Sequence, residues 1–352
     1  MIISRTPFRI SFFGGGTDYP AWYRQHGGAV LAATINKYCY LTCRYLPPFL
    51  EHRIRVVYSK IELCHSVDEI VHPSVRETLR YLKISRGVEI HHHADLPGRS
   101  GMGSSSAFTV GLLNALHALK GRAIAKPQLA NESIHLEQEV MKETVGSQDQ
   151  VCAAYGGINR ILFPENGHFS VQPLTLPRER LEELNSYLML FYTGIKRTAS
   201  NVASSYVASM EERSALLTKM RDYVEQGCAI LNSGRDLDAF GKLLHQAWLA
   251  KRGLSDKVSN PQVDTLYQEA CSAGAISGKL LGAGGGGFFL LFVPPAKQAR
   301  VRKQLSRLIH VPFRFEFSGS QIIFQDLEED YSKHDKFRAH QQIESFSELN
   351  ET

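Results

Sequence analysis

Residues 95–107 read DLPGRSGMGSSSA, and the other chemically informative segments can be arranged around this glycine- and serine-rich stretch. Glycines at positions 98, 101 and 103 carry no side chains, so backbone N–H groups can point into one concavity, as in polyphosphate-binding loops. The apolar spacing after Ser105 predicts a helix with Ser104–Ser106 in its cap and first turn. Helix N-termini favour anions, and serine hydroxyls there suit phosphate or magnesium. ATP would fit such a site.

A flexible loop followed by an ordinary serine cap is the alternative interpretation, and no GK[ST] sequence follows to make a Walker motif. However, residues 97–107, PGRSGMGSSSA, resemble the second motif of the GHMP small-molecule kinases, which include galactokinase and the homoserine, mevalonate and phosphomevalonate kinases. The other two motifs of that family therefore have to be sought independently.

The composition is that of a globular protein. The chain has 352 residues, 43% hydrophobic and 21% charged, and this length favours two domains. A net charge of +5 without a basic block argues against a nucleic-acid binder. The 6 cysteines show no CxxC pair or zinc spacing. With no signal-peptide pattern and no apolar run near the ~20 residues that span a bilayer, we expect a cytoplasmic protein without membrane contact.

The first strand ends in a glycine turn that carries polar residues. Residues 1–13 read as a strand, GGG follows at 14–16, and TDY stands at 17–19. Three glycines followed by Thr and Asp place short polar groups at a backbone-lined cavity. A plain glycine turn with an Asx cap is the alternative.

Residues 5–20, RTPFRISFFGGGTDYP, resemble the first GHMP motif. The resemblance implies that Arg9 lies near the transferred phosphoryl group and that Asp18 binds sugar hydroxyls. The sugar kinases of the family usually carry Gly-Glu-His before Thr-Asp-Tyr. The Gly-Gly-Gly found here predicts spare volume in the cleft and a larger or differently placed substrate.

One carboxylate on the helix of residues 126–143, KPQLANESIHLEQEVMKE, is expected to be buried. At 100° per residue Glu137 falls within the apolar stripe, whereas Glu132 and Glu139 fall on the polar face. A buried carboxylate is costly unless a cation or a donor meets it. Glu137 is therefore the candidate magnesium ligand, and a structural hydrogen bond to a loop amide is the alternative.

A second acid, Asp149, stands in the glycine turn VGSQDQ at residues 145–150, at the start of a short helix. Catalytic aspartates and helix N-caps both use this placement. Residues 135–157 resemble the GHMP segment in which a helix glutamate holds Mg²⁺ and a loop aspartate near the sugar acts as the catalytic base. The resemblance implies these roles for Glu137 and Asp149.

The second half of the chain adds two glycine-containing segments. Residues 193–199, TGIKRTA, place Arg197 after a glycine turn, where it either holds a substrate phosphate or is a solvated basic residue. Residues 277–289, SGKLLGAGGGGFF, resemble the third GHMP motif, whose glycine loop closes beside the nucleotide phosphates and packs against the first motif.

The resemblance extends to about residue 325 and implies a two-domain α/β (α+β) fold. The N-terminal domain is expected to be like a ribosomal-protein fold and the C-terminal domain to be ferredoxin-like, with the active site between them. Prolines and charges at residues 165–185 mark the boundary. We therefore expect an N-terminal domain over 1–175, a C-terminal domain over 176–325 and a charged tail over 326–352.

ATP and Mg²⁺ are the cofactors that the resemblance implies. Asp149 and Arg9 take the catalytic roles, and Ser105 and Glu137 hold the metal. The nucleotide site is expected at Pro97, Gly98, Ser100, Gly101, Met102, Gly103, Ser104, Ser105 and Ser106. The substrate site is expected at Gly16, Thr17, Asp18, Arg197, Gly284 and Gly285.

Within the family the motifs look most like those of the D-glycero-D-manno-heptose 7-phosphate kinases. This implies phosphorylation of the anomeric C1 hydroxyl to the 1,7-bisphosphate, for nucleotide-heptose and surface polysaccharide synthesis. Fucokinase- and galactokinase-like kinases of neutral sugars are the alternative. A non-catalytic sugar sensor is disfavoured because such a protein should have lost Glu137 or Asp149, and both are present. An RNA binder is disfavoured because the sequence shows no clustered basic face. The expected partners are a sugar phosphate and ATP, with no nucleic acid and no membrane, and a homo-oligomer stays open.

Overall fold

A computed structural model of the protein describes residues 1–195, 199–327 and 331. Two β-sheets and the helices packed on them make up this part of the chain. The strands are β1 (Ile2–Phe13), β2 (Gly28–Tyr45), β3 (Ile54–Val57), β4 (Ile61–Cys64), β5 (Val88–Ala94), β6 (Ile158–Phe163), β7 (Ser170–Pro173), β8 (Leu188–Tyr192), β9 (Ser277–Leu280), β10 (Phe288–Phe292), β11 (Ile309–Val311), β12 (Phe315–Glu316) and β13 (Gln321–Gln325). The α-helices are α1 (Pro20–His26), α2 (Pro73–Tyr81), α3 (Ser104–Leu119), α4 (Lys126–His135), α5 (Gln148–Tyr155), α6 (Arg178–Tyr187), α7 (Ala199–Val207), α8 (Ser214–Asn232), α9 (Asp238–Arg252), α10 (Pro261–Ser272) and α11 (Gln298–Gln304).

The first sheet is built around the long antiparallel pair β1 and β2. Its main path runs β13-β1-β2-β5-β3-β4, with β12 and β6 also pairing with β2 and β7 pairing with β6. The first part of β2 pairs with β6 and the last part with β5, both antiparallel. Strand β5 leads directly into residues 95–103, the glycine- and serine-rich segment before α3 that is called the phosphate loop below. The sheet therefore fixes where this loop begins.

Helix α3, which follows the phosphate loop, lies against β1 and β2. Its 16 residues, SSSAFTVGLLNALHAL, include no Asp, Glu, Lys or Arg, and most of its side chains are buried. A helix that is apolar on all sides has to be enclosed by the core. The core therefore anchors α3 and holds its N-terminus, with the serines, in a fixed place.

The second sheet has the antiparallel order β11-β8-β10-β9. Numbered by their own order in the chain, these four strands read 4-1-3-2, which is the ferredoxin-like arrangement that the family resemblance implied. Phe240 on α9 joins this sheet to the first: its ring centroid lies 5.4 Å from Phe12 at the end of β1 and 5.8 Å from Phe292 in β10. The mixed α/β architecture predicted from the motifs is confirmed.

The last two described strands return to the first sheet. Strand β12 pairs with β2 and β13 pairs with β1, both antiparallel. The division into domains at about residue 175 stays a proposal, but residues 315–325 belong to the first sheet and not to the expected 176–325 unit. Most of the expected tail, 326–352, lies outside the described residues.

Other elements differ from the sequence expectations. Helix α6 lies where only a domain boundary was expected from the sequence, and a 3-10 turn at Glu211–Arg213 lies between α7 and α8. A π-helical turn, Leu136–Val140, continues α4. No helix in the described ranges combines the length and apolarity needed to cross a bilayer.

Candidate active site

Arg9 on β1 and Asp149 at the start of α5 form a two-point ion pair. Arg9 Nε donates to Asp149 Oδ1 and Nη2 donates to Oδ2, each at 2.7 Å. The third guanidinium nitrogen, Nη1, donates to the carbonyl of Gly101 at 2.6 Å. Arg9 is buried, whereas the Asp149 side chain keeps 23% of its surface exposed. The pair thus joins the first strand, the phosphate loop and α5, and leaves the carboxylate open to a ligand.

Asp18 lies beside this pair, in the turn after β1. Its carboxylate accepts from the backbone N–H of Gly16 at 2.9 Å and of Gln148 at 3.2 Å. A Cβ on Gly146 would stand 2.0 Å from Asp18 Oδ2, so only glycine lets the two turns close together. Burial raises the pKa of Asp18 above its ordinary value, partly offset by the Gly16 amide, while the nearby Asp149 adds to the rise.

Thr17, expected to contact substrate, has a structural role instead. Its hydroxyl lies within 2.8 Å of the Gly14 carbonyl and 2.9 Å of the Ala29 carbonyl, and accepts from the Ala29 N–H at 3.1 Å. The side chain is fully buried. Since these backbone groups take up the hydroxyl, we withdraw Thr17 as a substrate contact. It fixes the glycine turn that carries Gly16 and Asp18.

The glycine turn of residues 14–16 has room at one of its positions. A Cβ at Gly14 would stand 1.9 Å from the Ala29 carbonyl oxygen, and Gly16 has a positive φ of +113° that disfavours other residues. A Cβ at Gly15 would meet nothing closer than 3.5 Å. A methyl group at Gly15 would therefore be in ordinary van der Waals contact with Ser11 and Gln148, and the spare volume expected from the sequence stays a prediction.

The phosphate loop presents backbone groups at the N-terminus of α3. Arg99, Gly101 and Gly103 have positive φ, and Gly103, the N-cap residue of α3, offers no side chain to cap the helix. The first-turn amides of α3 are therefore left for an anion. A Cβ on Gly103 would stand 3.3 Å from Asp149 Oδ2, which places this helix end against the ion pair.

The residues expected to bind nucleotide differ in exposure. Pro97, Gly98 and Ser105 are exposed, and Gly101, Gly103 and Ser104 are half-buried. The side chains of Ser100, Met102 and Ser106 are buried. Met102 belongs to the core, and its carbonyl accepts from the Arg9 N–H at 3.2 Å. The Ser100 hydroxyl donates to Pro97 O at 2.6 Å. Met102 and Ser100 can therefore contribute backbone groups only.

Glu137, in the π-helical turn, is completely buried, as predicted. Its Oε2 accepts from the Ser106 hydroxyl at 2.8 Å and from the Gln150 side-chain amide. Its Oε1 is buried, and no hydrogen-bond partner for this atom lies among the described residues. Burial raises the pKa of Glu137 to about 7, partly offset by the Ser106 bond.

The serine that accompanies Glu137 is Ser106 and not Ser105. Ser106 donates to Glu137, whereas Ser105 is exposed on the same turn of α3. Ser105 therefore stays a proposal as a metal ligand, and Ser106 is added to it. A hydroxyl and a carboxylate are hard oxygen donors of the kind Mg²⁺ prefers. Glu137 Oε1 has no partner at hydrogen-bond distance among the described residues, although the Thr109 hydroxyl lies close enough to lower the pKa of Glu137. The donor types present therefore fit Mg²⁺. No cluster of three metal-ligating side chains occurs in the described ranges.

The glycine loop after β9 packs directly on the phosphate loop. A Cβ on Gly282 would lie 2.6 Å from the Gly101 Cα, and one on Gly287 would lie 2.1 Å from the Ser100 carbonyl oxygen. The Phe288 N–H donates to Ser100 O at 3.2 Å. Glycine at these positions lets the two loops touch, which closes the cleft on the phosphate side.

Gly284 and Gly285 of this loop pack against Val258 and Asn260. The Gly285 N–H donates to Val258 O at 2.8 Å, and the Gly285 carbonyl accepts from the Asn260 side chain at 3.1 Å. A Cβ on Gly284 would stand 2.6 Å from the Val258 carbonyl oxygen. Both glycines are buried in this packing, so their predicted substrate contacts are not supported. Arg197, also predicted to contact substrate, lies outside the described residues.

Two buried lysines behind the site were not predicted from the sequence. Lys251 on α9 donates from Nζ to Leu280 O at 3.1 Å and to Gly282 O, and Lys279 on β9 donates to Phe12 O at 2.8 Å. Burial lowers the pKa of Lys251 to about 7 and that of Lys279 well below its ordinary value, and nearby positive charge contributes. A lysine near the end of a helix is typical of a solvated cation, so the burial of Lys251 could not be predicted from its position in the sequence.

The chain matches the sequence profile of the GHMP kinases N terminal domain over residues 69–157 and that of the GHMP kinases C terminal region over residues 222–310, together about half of its length. The chain belongs to the GHMP kinase family. The first match contains the phosphate loop, Glu137 and Asp149, and the second contains Lys251 and the glycine loop that closes on the phosphate loop.

Among similar sequences, the D-glycero-alpha-D-manno-heptose 7-phosphate kinase of Campylobacter jejuni is 28% identical over 330 residues, covering 87% of this GHMP kinase and 93% of the relative. The L-fucokinase/L-fucose-1-P guanylyltransferase of Bacteroides fragilis is 26% identical, and the match covers 87% of this chain and 36% of that longer protein. Among solved structures, a D-glycero-D-manno-heptose 1-phosphate kinase from Bacteroides thetaiotaomicron aligns with a TM-score of 0.75 at 24% identity, covering 93% of this chain and 100% of the other.

Proposed function

We propose that this GHMP kinase transfers the γ-phosphoryl group of ATP to the anomeric C1 hydroxyl of D-glycero-D-manno-heptose 7-phosphate. The observation that carries the proposal is the arrangement of Arg9, Asp149 and Asp18 at the uncapped N-terminus of α3. This arrangement provides an acceptor for a hydroxyl proton directly beside an anion site. The heptose is favoured because the match to the Campylobacter relative covers 93% of that protein.

Asp149 is positioned to accept the proton of the attacking hydroxyl. Each of its oxygens takes one bond from Arg9, and a carboxylate oxygen has a second lone pair, so Asp149 can bind a hydroxyl without releasing Arg9. The half-open carboxylate faces the loop of Gly103, where the phosphates are expected. Because phosphoryl transfer depends mainly on positioning and electrostatics, this orientation of the hydroxyl is the principal contribution of Asp149.

Arg9 supplies positive charge beside Asp149 and the phosphate loop. Its guanidinium binds the Gly101 carbonyl and Asp149 together, so it fixes the distance between the phosphate loop and the acceptor. A buried cation next to the transferring group stabilises charge that develops on the phosphoryl oxygens. Asp18, buried and held by two amides, is directed to a sugar hydroxyl.

Glu137, together with Ser105 or Ser106, would hold Mg²⁺, and the ion would supply positive charge that offsets the charge of the nucleotide phosphates. The amides of residues 104–106 hold the phosphates themselves. Gln150 keeps Glu137 oriented from α5, the helix that also carries Asp149. The metal ligands and the acceptor are therefore positioned by a common element.

A cleft of about 900 Å³ lies beside the glycine loop that follows β9. It gives room for the distal part of a sugar phosphate. Arg252, Lys257 and Ser255 line it, and so does Asp264, whose Oδ2 accepts from Arg252 at 3.0 Å. Leu254, next to this cleft, lies 3.6 Å from the Cβ position of Gly16 in the substrate turn. The cleft thus adjoins the site that Asp18 marks.

A kinase of a neutral sugar is the second candidate, favoured by the 26% identity to the fucokinase of Bacteroides fragilis over 87% of this chain. Coupled ADP release with Mg²⁺-ATP separates the two. The panel is heptose 7-phosphate, mannose, fucose, galactose and mevalonate. Selective turnover of the heptose phosphate supports the proposal, and preference for fucose or galactose replaces it with the second candidate.

A further inference from the structure

Lys251 on α9 holds the beginning of the glycine loop that follows β9. Its Nζ donates to Leu280 O at 3.1 Å and to Gly282 O, the carbonyls on either side of Leu281. The side chain is only 7% exposed. Lysine is rarely buried unless a partner compensates for the lost hydration, and here the partners are two backbone carbonyls of one loop. Lys251 therefore ties α9 to this loop at two points.

The backbone between these two carbonyls lies directly on the phosphate loop. A Cβ on Gly101 would stand 2.4 Å from Leu281 O, and a Cβ on Gly282 would stand 2.6 Å from Gly101 Cα. Both glycines have a positive φ, so backbone packs on backbone with no side chain between them. Because the contact is this close, a shift of residues 280–282 would displace the phosphate loop or open a gap beside it.

The phosphate loop is in turn bound to the ion pair. The Gly101 carbonyl accepts from Arg9 Nη1 at 2.6 Å, and the same guanidinium donates two bonds of 2.7 Å to Asp149. A continuous series of contacts therefore runs from Lys251 through the glycine loop and Gly101 to the ion pair. Burial lowers the pKa of Lys251 to about 7, the Arg9 charge adds to this fall, and the Asp149 charge opposes it. The Lys251 side chain is thus close enough to interact electrostatically with the ion pair.

The substrate turn is held by other contacts. The Asp18 carboxylate accepts from the amides of Gly16 and Gln148, and neither residue belongs to this series. We propose that Lys251 is a positioning residue for phosphoryl transfer: by holding two carbonyls of the glycine loop, it sets the phosphate loop at the working distance from Asp149. It acts through the two loops and not on the reacting atoms. The inference rests on the proposed roles of the phosphate loop and Asp149, but not on which sugar is phosphorylated.

The test compares Lys251→Met with the unaltered enzyme, using Mg²⁺-ATP and whichever panel sugar the unaltered enzyme accepts. Methionine keeps a long unbranched side chain but cannot donate to either carbonyl. We expect kcat to fall by about 10–100-fold, because misplaced phosphates react slowly with the acceptor. The Kd for ATP, measured by titration calorimetry, should rise about tenfold, because the phosphate loop is no longer preorganised. The KM for sugar should stay within about twofold, since Asp18 lies outside the series of contacts.

Lys120→Met is the matched control. Lys120 also donates from Nζ to a backbone carbonyl, Leu82 O at 2.6 Å, but it lies at the opposite end of α3 from the phosphate loop. The control should lower Tm, as the loss of such a bond does, and leave kcat and the Kd for ATP unchanged. Gly282→Ala approaches from the loop side, because its Cβ would press on Gly101. It should reproduce the pattern of Lys251→Met, and it decides the matter where Lys251→Met does not fold.

Coupling to Arg9 separates positioning from general destabilisation. If Lys251 acts through Arg9, the loss of kcat in the double variant Lys251→Met/Arg9→Lys should be at least about threefold smaller than the product of the two single losses. Lys120→Met combined with Arg9→Lys should give the simple product.

Unchanged kcat and ATP affinity in Lys251→Met, or a rise in the KM for sugar alone, would overturn the positioning role. Turnover of no panel sugar by the unaltered enzyme would remove the proposed function instead. In that case the Kd for ATP still decides the inference, since Lys251→Met should weaken ATP binding and Lys120→Met should not.

Discussion

Arg9 and Asp149 are 140 positions apart in the sequence, yet their side chains are joined by two hydrogen bonds of 2.7 Å each. The pair links the first strand to the fifth helix, and the third guanidinium nitrogen of Arg9 extends the link to Gly101 in the phosphate loop. Substrate acceptor, phosphate loop and sheet are thereby held in one geometry, and the proposed chemistry depends on it.

Replacing Asp149 with Asn tests the acceptor role. The amide keeps the shape of the side chain but cannot take a proton, so kcat should fall by about 10²–10⁴. ATP affinity, measured by titration calorimetry, should remain within a few fold because the anion site at α3 is untouched. Asp222→Asn, an exposed carboxylate on α8, is the control. Near-normal turnover in Asp149→Asn would remove Asp149 from this role.

Arg9→Lys tests the two-point geometry. A lysine ammonium cannot span Asp149 and Gly101 as the planar guanidinium does. We expect kcat to fall by about 10²–10³, as for the loss of a preorganised donor, together with a lower Tm. Arg5→Lys is a matched control on the same strand, since Arg5 binds Gln321 away from the site. Equal effects of the two substitutions on kcat would contradict the account.

Glu137→Gln tests the metal site. The substitution keeps the volume and removes the charge, so the Mg²⁺ concentration for half-maximal activity should rise by about tenfold or more. Without Mg²⁺ the Tm should stay the same or rise, because a carboxylate buried without a cation is costly. Glu139→Gln, an exposed residue of the same turn, should change neither quantity. An unaltered Mg²⁺ requirement in Glu137→Gln would show that the ion lies elsewhere.

Lys251 predicts a pH dependence of stability. Its pKa is lowered by burial to about 7 in the folded protein, against 10.5 ordinarily. Between these values the unfolded chain binds a proton that the folded protein does not, so the contribution of Lys251 to stability rises with pH from about 7 to about 10. The Tm of the unaltered protein should therefore rise relative to the Tm of Lys251→Met as the pH increases over this range. A difference that is flat with pH would mean that Lys251 does not titrate there.

The sequence predicted most strongly what is local. The helical stripe placed Glu137 on the buried face, and the glycine and serine pattern located the phosphate loop at the start of α3, because both depend on residues a few positions apart. Which serine donates to Glu137 could not be predicted from spacing, since Ser105 and Ser106 are neighbours and only the orientation of α3 decides that Ser106 makes this bond.

What depends on distant parts of the chain was missed. The pairing of β13 with β1 joins segments more than 300 residues apart, and short strands carry little sign of their partners. Gln150 and Lys251 act through contacts with Glu137 and Gly282 that only the folded chain brings together. Thr17 was assigned to substrate because its segment resembles a substrate motif, but its hydroxyl is consumed by the turn itself.

The most direct test of the proposed function is the identity of the product. The enzyme is incubated with Mg²⁺-ATP and D-glycero-D-manno-heptose 7-phosphate, and the product is examined by ³¹P NMR. The account predicts a second sugar phosphate resonance coupled to the anomeric proton, with the 7-phosphate retained, and no such resonance with Asp149→Asn. A new phosphate coupled to any other position, or no new sugar phosphate while fucose or galactose is phosphorylated, would contradict it.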